Sequence, residues 1–175
     1  MKPTVVHLHL HYTERWPEIR QYLQHMGSCP YHLYVTLSRD NAQLEAEIKK
    51  FHPQSTVWRA ENRGYDIGPF VEFLHKADLS RYDLVLKIHT KSKSGLQKTW
   101  INGRCVTKKR WVNLLMNALL GSAEIWRQNL AAFEQNPGLG MLSSRYLITS
   151  EPECSEYLRP QVAAILQKMG LSVPA

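Results

Sequence analysis

The stretch YDLVLKIHTKS, residues 82–92, joins an apolar run to a basic end. Its Leu-Val-Leu centre is typical of a buried strand, and the residues from Lys87 onward are mostly polar. In α/β proteins, ligands bind beyond the carboxyl ends of such strands. The stretch therefore predicts a strand from Tyr82 to Ile88 that carries polar side chains into a binding site.

An interval without acidic residues extends from this strand. Between Asp83 and Glu124 the chain has no Asp or Glu, although the whole chain has a net charge of +7. The basic residues of the interval are Lys87, Lys91, Lys93, Lys98, Arg104, Lys108, Lys109 and Arg110. This charge allows nucleic acid, an anionic lipid surface or a phosphorylated small molecule as the partner.

Size and composition favour one folded domain. The chain has 175 residues, of which 43% are hydrophobic and 21% charged, as in ordinary soluble proteins. Its cysteines, Cys29, Cys105 and Cys154, are odd in number and widely spaced, which argues against a disulfide framework or a zinc site. We expect no signal peptide, because His7, His9 and His11 interrupt the first apolar stretch. No apolar run approaches about 18 residues. We expect a cytoplasmic protein, for which contact with the inner face of the membrane would be peripheral.

Predicted strands and helices alternate along the chain. The strands are predicted over residues 4–12, 31–37, 55–59, 82–88 and 139–142. The helices are predicted over residues 16–26, 42–51, 110–120, 122–134 and 156–169, and another begins after Asp66. For the helix at 42–51, residues 38–40 are the cap candidates. This alternation predicts an α/β, Rossmann-like fold with a mainly parallel sheet and helices on both faces.

The segment ENRGYDIGPF, residues 61–70, predicts a tight turn between a strand and a helix. The free backbone N–H groups of the helix start suit phosphate or hydroxyl oxygens. Arg63 could donate two hydrogen bonds to such a ligand, and Asp66 could accept one. An ordinary turn, in which Asp66 only caps the helix and Arg63 only faces water, is equally consistent with the residues.

Three residues at the end of the fourth predicted strand point to an anion. Strand alternation places Lys87, His89 and Lys91 on one side, where two ammonium groups and an imidazole could surround a diphosphate. A solvated basic surface is the alternative. Because Lys87 lies inside the apolar run, its charge needs a partner if it is buried.

Two further patterns have less specific interpretations. His7, His9 and His11 share one face of the first strand, a spacing that could bind a metal, but an exposed polar strand face is the favoured interpretation. Trp100 and Trp111 lie among basic residues, as in surfaces that stack nucleic-acid bases. For Trp111, the helical register with Leu114, Leu115 and Ala118 favours core packing instead.

Two segments resemble the rhamnan synthesis protein F family of bacterial polysaccharide biosynthesis. Its members share an N-R-G-x-D-I-x-P-F segment, found here at residues 62–70, and a K-I-H-T-K segment, found here at residues 87–91. The Val-His-Leu-His start of the chain and the segments at residues 119–122 and 136–141 are also similar. The resemblance therefore extends over about residues 4–142.

The resemblance implies a rhamnosyltransferase-like glycosyltransferase of the GT-A type. Its donor would be a nucleoside-diphosphate sugar such as dTDP-rhamnose, and its acceptor a glycan or lipid-linked glycan. The implied donor site consists of Asn62, Arg63, Gly64, Asp66, Lys87, His89, Thr90 and Lys91. Where many GT-A enzymes have a D-x-D metal site, this chain has His89-Thr90-Lys91, so we expect basic side chains to take the place of a metal cofactor. Magnesium or manganese shared by Asp66 and His89 remains an open alternative.

Residues 1–175 are expected to form one nucleotide-sugar-binding domain. The larger family domain continues into an acceptor-side region, and no general base is assigned, so an incomplete or inactive enzyme stays open. One alternative is a non-catalytic domain that binds a nucleotide sugar or glycan within a biosynthetic complex. Nucleic-acid binding is the least favoured alternative, because no recognised binding motif accompanies the charge.

Overall fold

The computed structural model describes residues 2–61, 63–92, 98–101 and 104–145, and the helical positions 160, 163–165, 167 and 168. The strands are β1 (Thr4–Leu10), β2 (Tyr31–Leu37), β3 (Thr56–Arg59), β4 (Leu84–His89), β5 (Lys98–Ile101) and β6 (Arg104–Thr107). The α-helices between residues 16 and 135 are α1 (Trp16–Gln24), α2 (Ala42–Phe51), α3 (Ile67–Lys76), α4 (Lys108–Leu120) and α5 (Ala123–Gln135).

The main sheet is parallel, with the strand order β3-β2-β1-β4. The chain builds outward from β1 through β2 to β3, and α3 then returns it to the opposite side of β1 to form β4. The direction of the strand order therefore reverses between β1 and β4, and a crevice for ligands is expected at their carboxyl ends. The predicted α/β class with a mainly parallel sheet is confirmed.

The central strand β1 is buried along its whole length and separates two layers of side chains. Val6, Leu8 and Leu10 pack into the larger apolar core with α1, α2, α4 and α5. On the other face, Val5 packs with Phe73 of α3. Complete burial of a leucine such as Leu8 contributes about 1.5–3 kcal/mol. Burial on both faces is typical of a central parallel strand.

The helix starts depend on short polar side chains. Asn41 Oδ1 accepts a hydrogen bond from the backbone N–H of Leu44 at 3.0 Å, so α2 is capped by Asn41 and not by residues 38–40 as predicted. Ser122 caps α5 through the N–H of Ile125 at 3.1 Å. Each such cap contributes about 1 kcal/mol.

Two predictions fail in the second half of the chain. The antiparallel β5–β6 pair was not predicted, although Asn102-Gly103 lies between these strands and is a strong hairpin signal in sequence. The strand predicted at 139–142 is wrong, because the N–H of Leu139 turns back to the carbonyl of Asn136 and Met141 is 83% exposed. Most of the helix predicted at 156–169 lies outside the described residues.

Within the described ranges, no helix combines the length and the apolar character needed to cross a membrane.

Candidate donor site at the carboxyl edge of the sheet

A cavity of about 460 Å³ opens at the carboxyl ends of β1 and β4. It is lined by His9, His11 and Tyr12 at the end of β1, by residues 64–67 at the start of α3, by residues 89–92 at the end of β4, and by Trp111 of α4. Pockets for small ligands and cofactors have volumes of about 300–1,000 Å³. The cavity thus has the size of a ligand site and lies at the expected crevice.

The loop before α3 has an unusual backbone. Gly64 and Tyr65 both have positive φ values, of 68° and 56°. At Gly68, a Cβ atom would lie 1.9 Å from the carbonyl oxygen of Arg63, so only glycine fits there. The left-handed conformation is costly for a residue such as tyrosine and is found preferentially at functional sites. This loop therefore has a tightly specified shape at the edge of the cavity.

Asp66 is the N-terminal flanking residue of α3, but its side chain does not cap the helix. Its Oδ2 atom accepts a hydrogen bond from Lys87 Nζ at 2.5 Å and lies 3.4 Å from His89 Nδ1. The interpretation of Asp66 as a simple cap is therefore wrong. The carboxylate instead joins α3 to β4 and supplies the partner that the charge of Lys87 requires.

Burial and charge set the protonation of this cluster. Burial alone would raise the pKa of Asp66, but the hydrogen bond from Lys87 and the neighbouring positive groups lower it overall. Burial, with the charge of Lys91, lowers the pKa of His89 to about 4. Near neutral pH, His89 is uncharged and the Asp66–Lys87 pair has no net charge. His89 Nε2 is buried without a hydrogen-bond partner among the described residues.

Lys91 differs from Lys87 because no carboxylate among the described residues is paired with it. Its ammonium lies 5.0 Å from the ring centroid of Trp111, and both side chains line the cavity. The core face of α4 is formed instead by Val112, Met116 and Leu120. Core packing of Trp111 is thus a wrong prediction. Its ring instead contacts the Lys91 ammonium and stabilises a positive charge at the cavity.

Thr90 fixes the backbone around the cavity. Its Oγ1 atom accepts hydrogen bonds from the N–H groups of His11 and Tyr12, both at 3.0 Å. The hydroxyl also donates to the carbonyl of His9 at 3.4 Å. Because these bonds use its hydrogen and both lone pairs, Thr90 holds the end of β1 against β4 and is poorly placed to contact a ligand.

His7 and His9 do not lie on an exposed strand face, so the favoured interpretation is wrong for these two of the three histidines. His7 and His9 are 0% and 2% exposed, and both contact Thr36 Oγ1, at 3.1 and 2.9 Å. Burial lowers the pKa of His7 to about 3 and that of His9 to about 4. In the described part of the chain, no group of three His, Cys, Asp or Glu side chains has the geometry of a metal site.

Of the other expected site residues, Gly64 lines the cavity and Arg63 is exposed in the adjoining loop. Asn62 and Lys93 lie outside the described residues. Tyr65, which is 85% exposed and lines the cavity, was missed in the reasoning from sequence. Its position between Gly64 and Asp66 in the family-like segment was the available signal.

The Asp66–Lys87 pair provides a first testable expectation. Asp66→Ala leaves the Lys87 ammonium, whose side chain is 26% exposed, without its counter-charge, and should cost about 1–3 kcal/mol of unfolding free energy. Lys87→Met keeps an apolar stem over Phe70. We expect the double variant to lose clearly less than the sum of the two single variants in urea unfolding.

The Glu45–Lys49 pair on the surface of α2 is the matched control for this cycle. Its coupling should be about 0.3–0.5 kcal/mol, as for other surface pairs one helical turn apart. Equal coupling in the two cycles would contradict a special role for the Asp66–Lys87 contact.

Comparisons with known proteins agree with the family-like segments. The family model described as Rhamnan synthesis protein F matches residues 1–174. A search of curated proteins and a search of solved structures each gave no match. The matched region includes the cavity and both segments that line it. The chain therefore belongs to the rhamnan synthesis protein F family, which implies a role in the synthesis of rhamnan polysaccharides.

Proposed function

We propose that this protein is a glycosyltransferase that binds a nucleoside-diphosphate sugar, of the dTDP-rhamnose class, in the cavity. The observation that carries the proposal is the position of Lys91. Its ammonium lines a cavity of suitable size, lies over Trp111, and is not neutralised by a carboxylate among the described residues. A cation that is not paired with any carboxylate among the described residues is well suited to bind a diphosphate.

The charged and polar residues at the cavity have different expected roles in donor binding. Since Lys87 is neutralised by Asp66, Lys91 and the exposed Arg63 are the cations among the described residues that we expect to contact the diphosphate. These groups would stabilise the charge that develops on the diphosphate as the glycosidic bond breaks. Neutral His89 lines the cavity beside Asp66 and adds no charge of its own to the site.

Tyr65 is the candidate contact for the nucleoside. Its ring is 85% exposed at the cavity, and its backbone is held in the left-handed region beside Gly64. An exposed aromatic ring can stack on a nucleobase, an interaction worth about 1–3 kcal/mol. The tight loop would present the ring without further ordering when the nucleotide binds.

The proposed chemistry uses fixed side chains in the place of a metal ion. A divalent cation at Asp66 would have to displace the Lys87 ammonium from Oδ2, where it lies at 2.5 Å. Only one oxygen of this carboxylate is free of that contact, and among the described residues the second metal-binding side chain beside it is His89. We therefore expect donor binding to be the same with and without magnesium or manganese.

Lys91→Ala is expected to weaken the binding of dTDP-rhamnose by about 10- to 100-fold, because a charged hydrogen bond contributes about 1.5–3 kcal/mol. Arg63→Ala should weaken it by a smaller factor, since its guanidinium is more solvated. The measurement is isothermal titration calorimetry of the folded protein. Lys50→Ala is the matched control, since Lys50 is an exposed lysine on α2, and it should bind as the wild type does.

Other outcomes would favour other functions. Wild-type affinity in both Lys91→Ala and Arg63→Ala would show that the diphosphate assignment is wrong. Donor binding without sugar transfer to any glycan or lipid-linked acceptor would favour a non-catalytic binding domain. If dTDP does not displace a bound oligonucleotide at moderate salt, a nucleic-acid site gains support. Strict dependence of donor binding on a divalent metal would overturn the proposed use of side-chain cations.

A further inference from the structure

Three histidines and two hydroxyl groups form a continuous contact chain from the core to the cavity. Thr36 Oγ1 lies 3.1 Å from His7 Nε2 and 2.9 Å from His9 Nδ1. Ser38 Oγ lies 3.3 Å from His9 Nε2 and 3.0 Å from His11 Nδ1. His7 is fully buried, whereas His11 is exposed and lines the cavity. These contacts thus link the buried imidazole of His7 to the imidazole of His11, which a substrate can reach.

The buried histidines restrict the hydrogen positions along the chain. Burial lowers the pKa of His7 and of His9, so each has one N–H and one lone pair near neutral pH. Thr36 has a single hydroxyl hydrogen, and its acceptors within reach are His7, His9 and the carbonyl of Leu8, which lies at 3.5 Å. If this hydrogen points to His7 or to Leu8, the hydrogen of His9 must be on Nδ1 in order to donate to Thr36.

The tautomer of His9 then determines the tautomer of His11. With its hydrogen on Nδ1, His9 offers the lone pair of Nε2 to the Ser38 hydroxyl. The Ser38 oxygen can then accept a hydrogen bond from the Nδ1–H of His11. In this arrangement the lone pair of His11 is on Nε2, for which the described residues provide no hydrogen-bond partner.

The cavity has no better base among its described lining residues. Asp66 is the one carboxylate in that set, and its Oδ2 is bound by Lys87. The positive groups around Asp66 also lower its pKa, which makes it a weak proton acceptor. His9 and His89 line the cavity too, but both ring nitrogens of His9 are occupied by hydroxyl groups. In His89, Nδ1 lies 3.4 Å from Asp66 Oδ2 and Nε2 is buried.

We propose that His11 is the general base of the sugar transfer, and that Ser38, His9 and Thr36 are positioning residues that fix its tautomer. This inference rests on the proposed glycosyltransferase function. Nε2 of His11 takes the proton of an acceptor hydroxyl while the hydroxyl oxygen bonds to the anomeric carbon of the donor. The bond from that carbon to the diphosphate oxygen breaks, and the nucleoside diphosphate leaves with the electron pair. When water replaces the acceptor, the same step hydrolyses the donor.

A spectroscopic experiment tests the contacts between the histidines and the hydroxyl groups without requiring turnover. Long-range ¹H–¹⁵N correlation spectra of the full chain with ¹⁵N-labelled histidine report which ring nitrogen carries the hydrogen. We expect the Nδ1–H tautomer for His11 in the wild type and a shift toward Nε2–H in Ser38→Ala. Ser38→Thr, which keeps a hydroxyl, should restore the wild-type signal. An Nε2–H form of His11 in the wild type would refute the inference and leave the proposed function intact.

Donor hydrolysis tests the chemical role. His11→Ala should release dTDP from dTDP-rhamnose about 100- to 10,000-fold more slowly than the wild type, as expected for loss of a general base. Its dissociation constant for dTDP-rhamnose should stay within about twofold of the wild-type value, because the base is separate from the diphosphate contacts. Added imidazole should restore part of the rate. His75→Ala, at an exposed histidine of α3, is the matched control and should react normally.

The remaining outcomes distinguish a failure of the role of His11 from a failure of the proposed glycosyltransferase function. If His11→Ala releases dTDP at the wild-type rate, or if the wild type binds the donor but never releases dTDP, the role of His11 is refuted while donor binding stands. If the wild type does not bind dTDP-rhamnose or any other nucleoside-diphosphate sugar, the proposed function fails, and the role of His11 fails with it.

Discussion

Acidification from about pH 7 to about pH 4 is expected to remove several kcal/mol of unfolding free energy. Burial lowers the pKa of His7 to about 3 and the pKa of His9 and His89 to about 4, from an ordinary value of 6.5. Between these values the unfolded chain binds more protons than the folded chain. The stability is complete above pH 6.5 and is lost as the pH falls toward the folded-state values, by up to about 1.4 kcal/mol per pH unit for each histidine.

Urea unfolding at a series of pH values measures this slope. His7→Gln removes one titrating group, so the slope should fall by about one proton, or about 1.4 kcal/mol per pH unit. The variant also loses stability at neutral pH, because His7 stacks on Phe73 with a ring separation of 4.9 Å. His75→Gln, on the exposed surface of α3, should leave the slope unchanged. An unchanged slope in His7→Gln would mean that folded His7 is not held in its neutral form.

The parts of the fold that depend on local patterns could be predicted from the sequence. The bounds of β2 and α2 agree with their predicted ranges, because a polar residue or a proline lies near each end of both segments. The central position of β1 could not be read in this way. It follows from which strands pair with β1, and this pairing determines that His7 and His9 are buried and not exposed.

The same distinction applies to the candidate site. Strand alternation correctly placed Lys87 and His89 on one side of β4, where both now lie near Asp66. It could not identify Asp66 as the counter-charge of Lys87, since the two residues are 21 positions apart and meet only after α3 has packed on the sheet. Lys87 and Lys91 therefore look equivalent in sequence, although among the described residues the first is paired and the second is not.

The contacts of Thr36 could not be predicted from the sequence either. A threonine in an apolar strand is common, and its contacts with His7 and His9 require the parallel register in which His9 lies beside Thr36. That register comes from packing on both faces of the sheet, and not from the residues of either strand alone. The hydrogen-bonded chain that ends at His11 is thus a property of the assembled sheet.

Gly68→Ala is expected to abolish detectable binding of dTDP-rhamnose. An alanine Cβ would lie 1.9 Å from the carbonyl oxygen of Arg63 and 3.1 Å from its carbonyl carbon. Both are backbone atoms, so the clash can be relieved only if the loop at residues 63–66 moves or the first turn of α3 unwinds. Either change displaces Asp66 and Tyr65 from the cavity, and we expect a loss of affinity greater than about 100-fold with a loss of about 2–4 kcal/mol in stability.

Two other glycines provide the controls for Gly68→Ala in calorimetry and urea unfolding. At Gly138 a Cβ would meet no atom within 4 Å, so Gly138→Ala should bind the donor normally. At Gly64 the nearest atom would be 3.6 Å away, but the φ of 68° disfavours a side chain, so Gly64→Ala should cost about 1 kcal/mol and weaken binding less than Gly68→Ala. This order follows because a collision between backbone atoms is harder to relieve than an unfavourable φ. If Gly68→Ala folded stably and bound dTDP-rhamnose as the wild type does, the loop before α3 would not be part of the donor site.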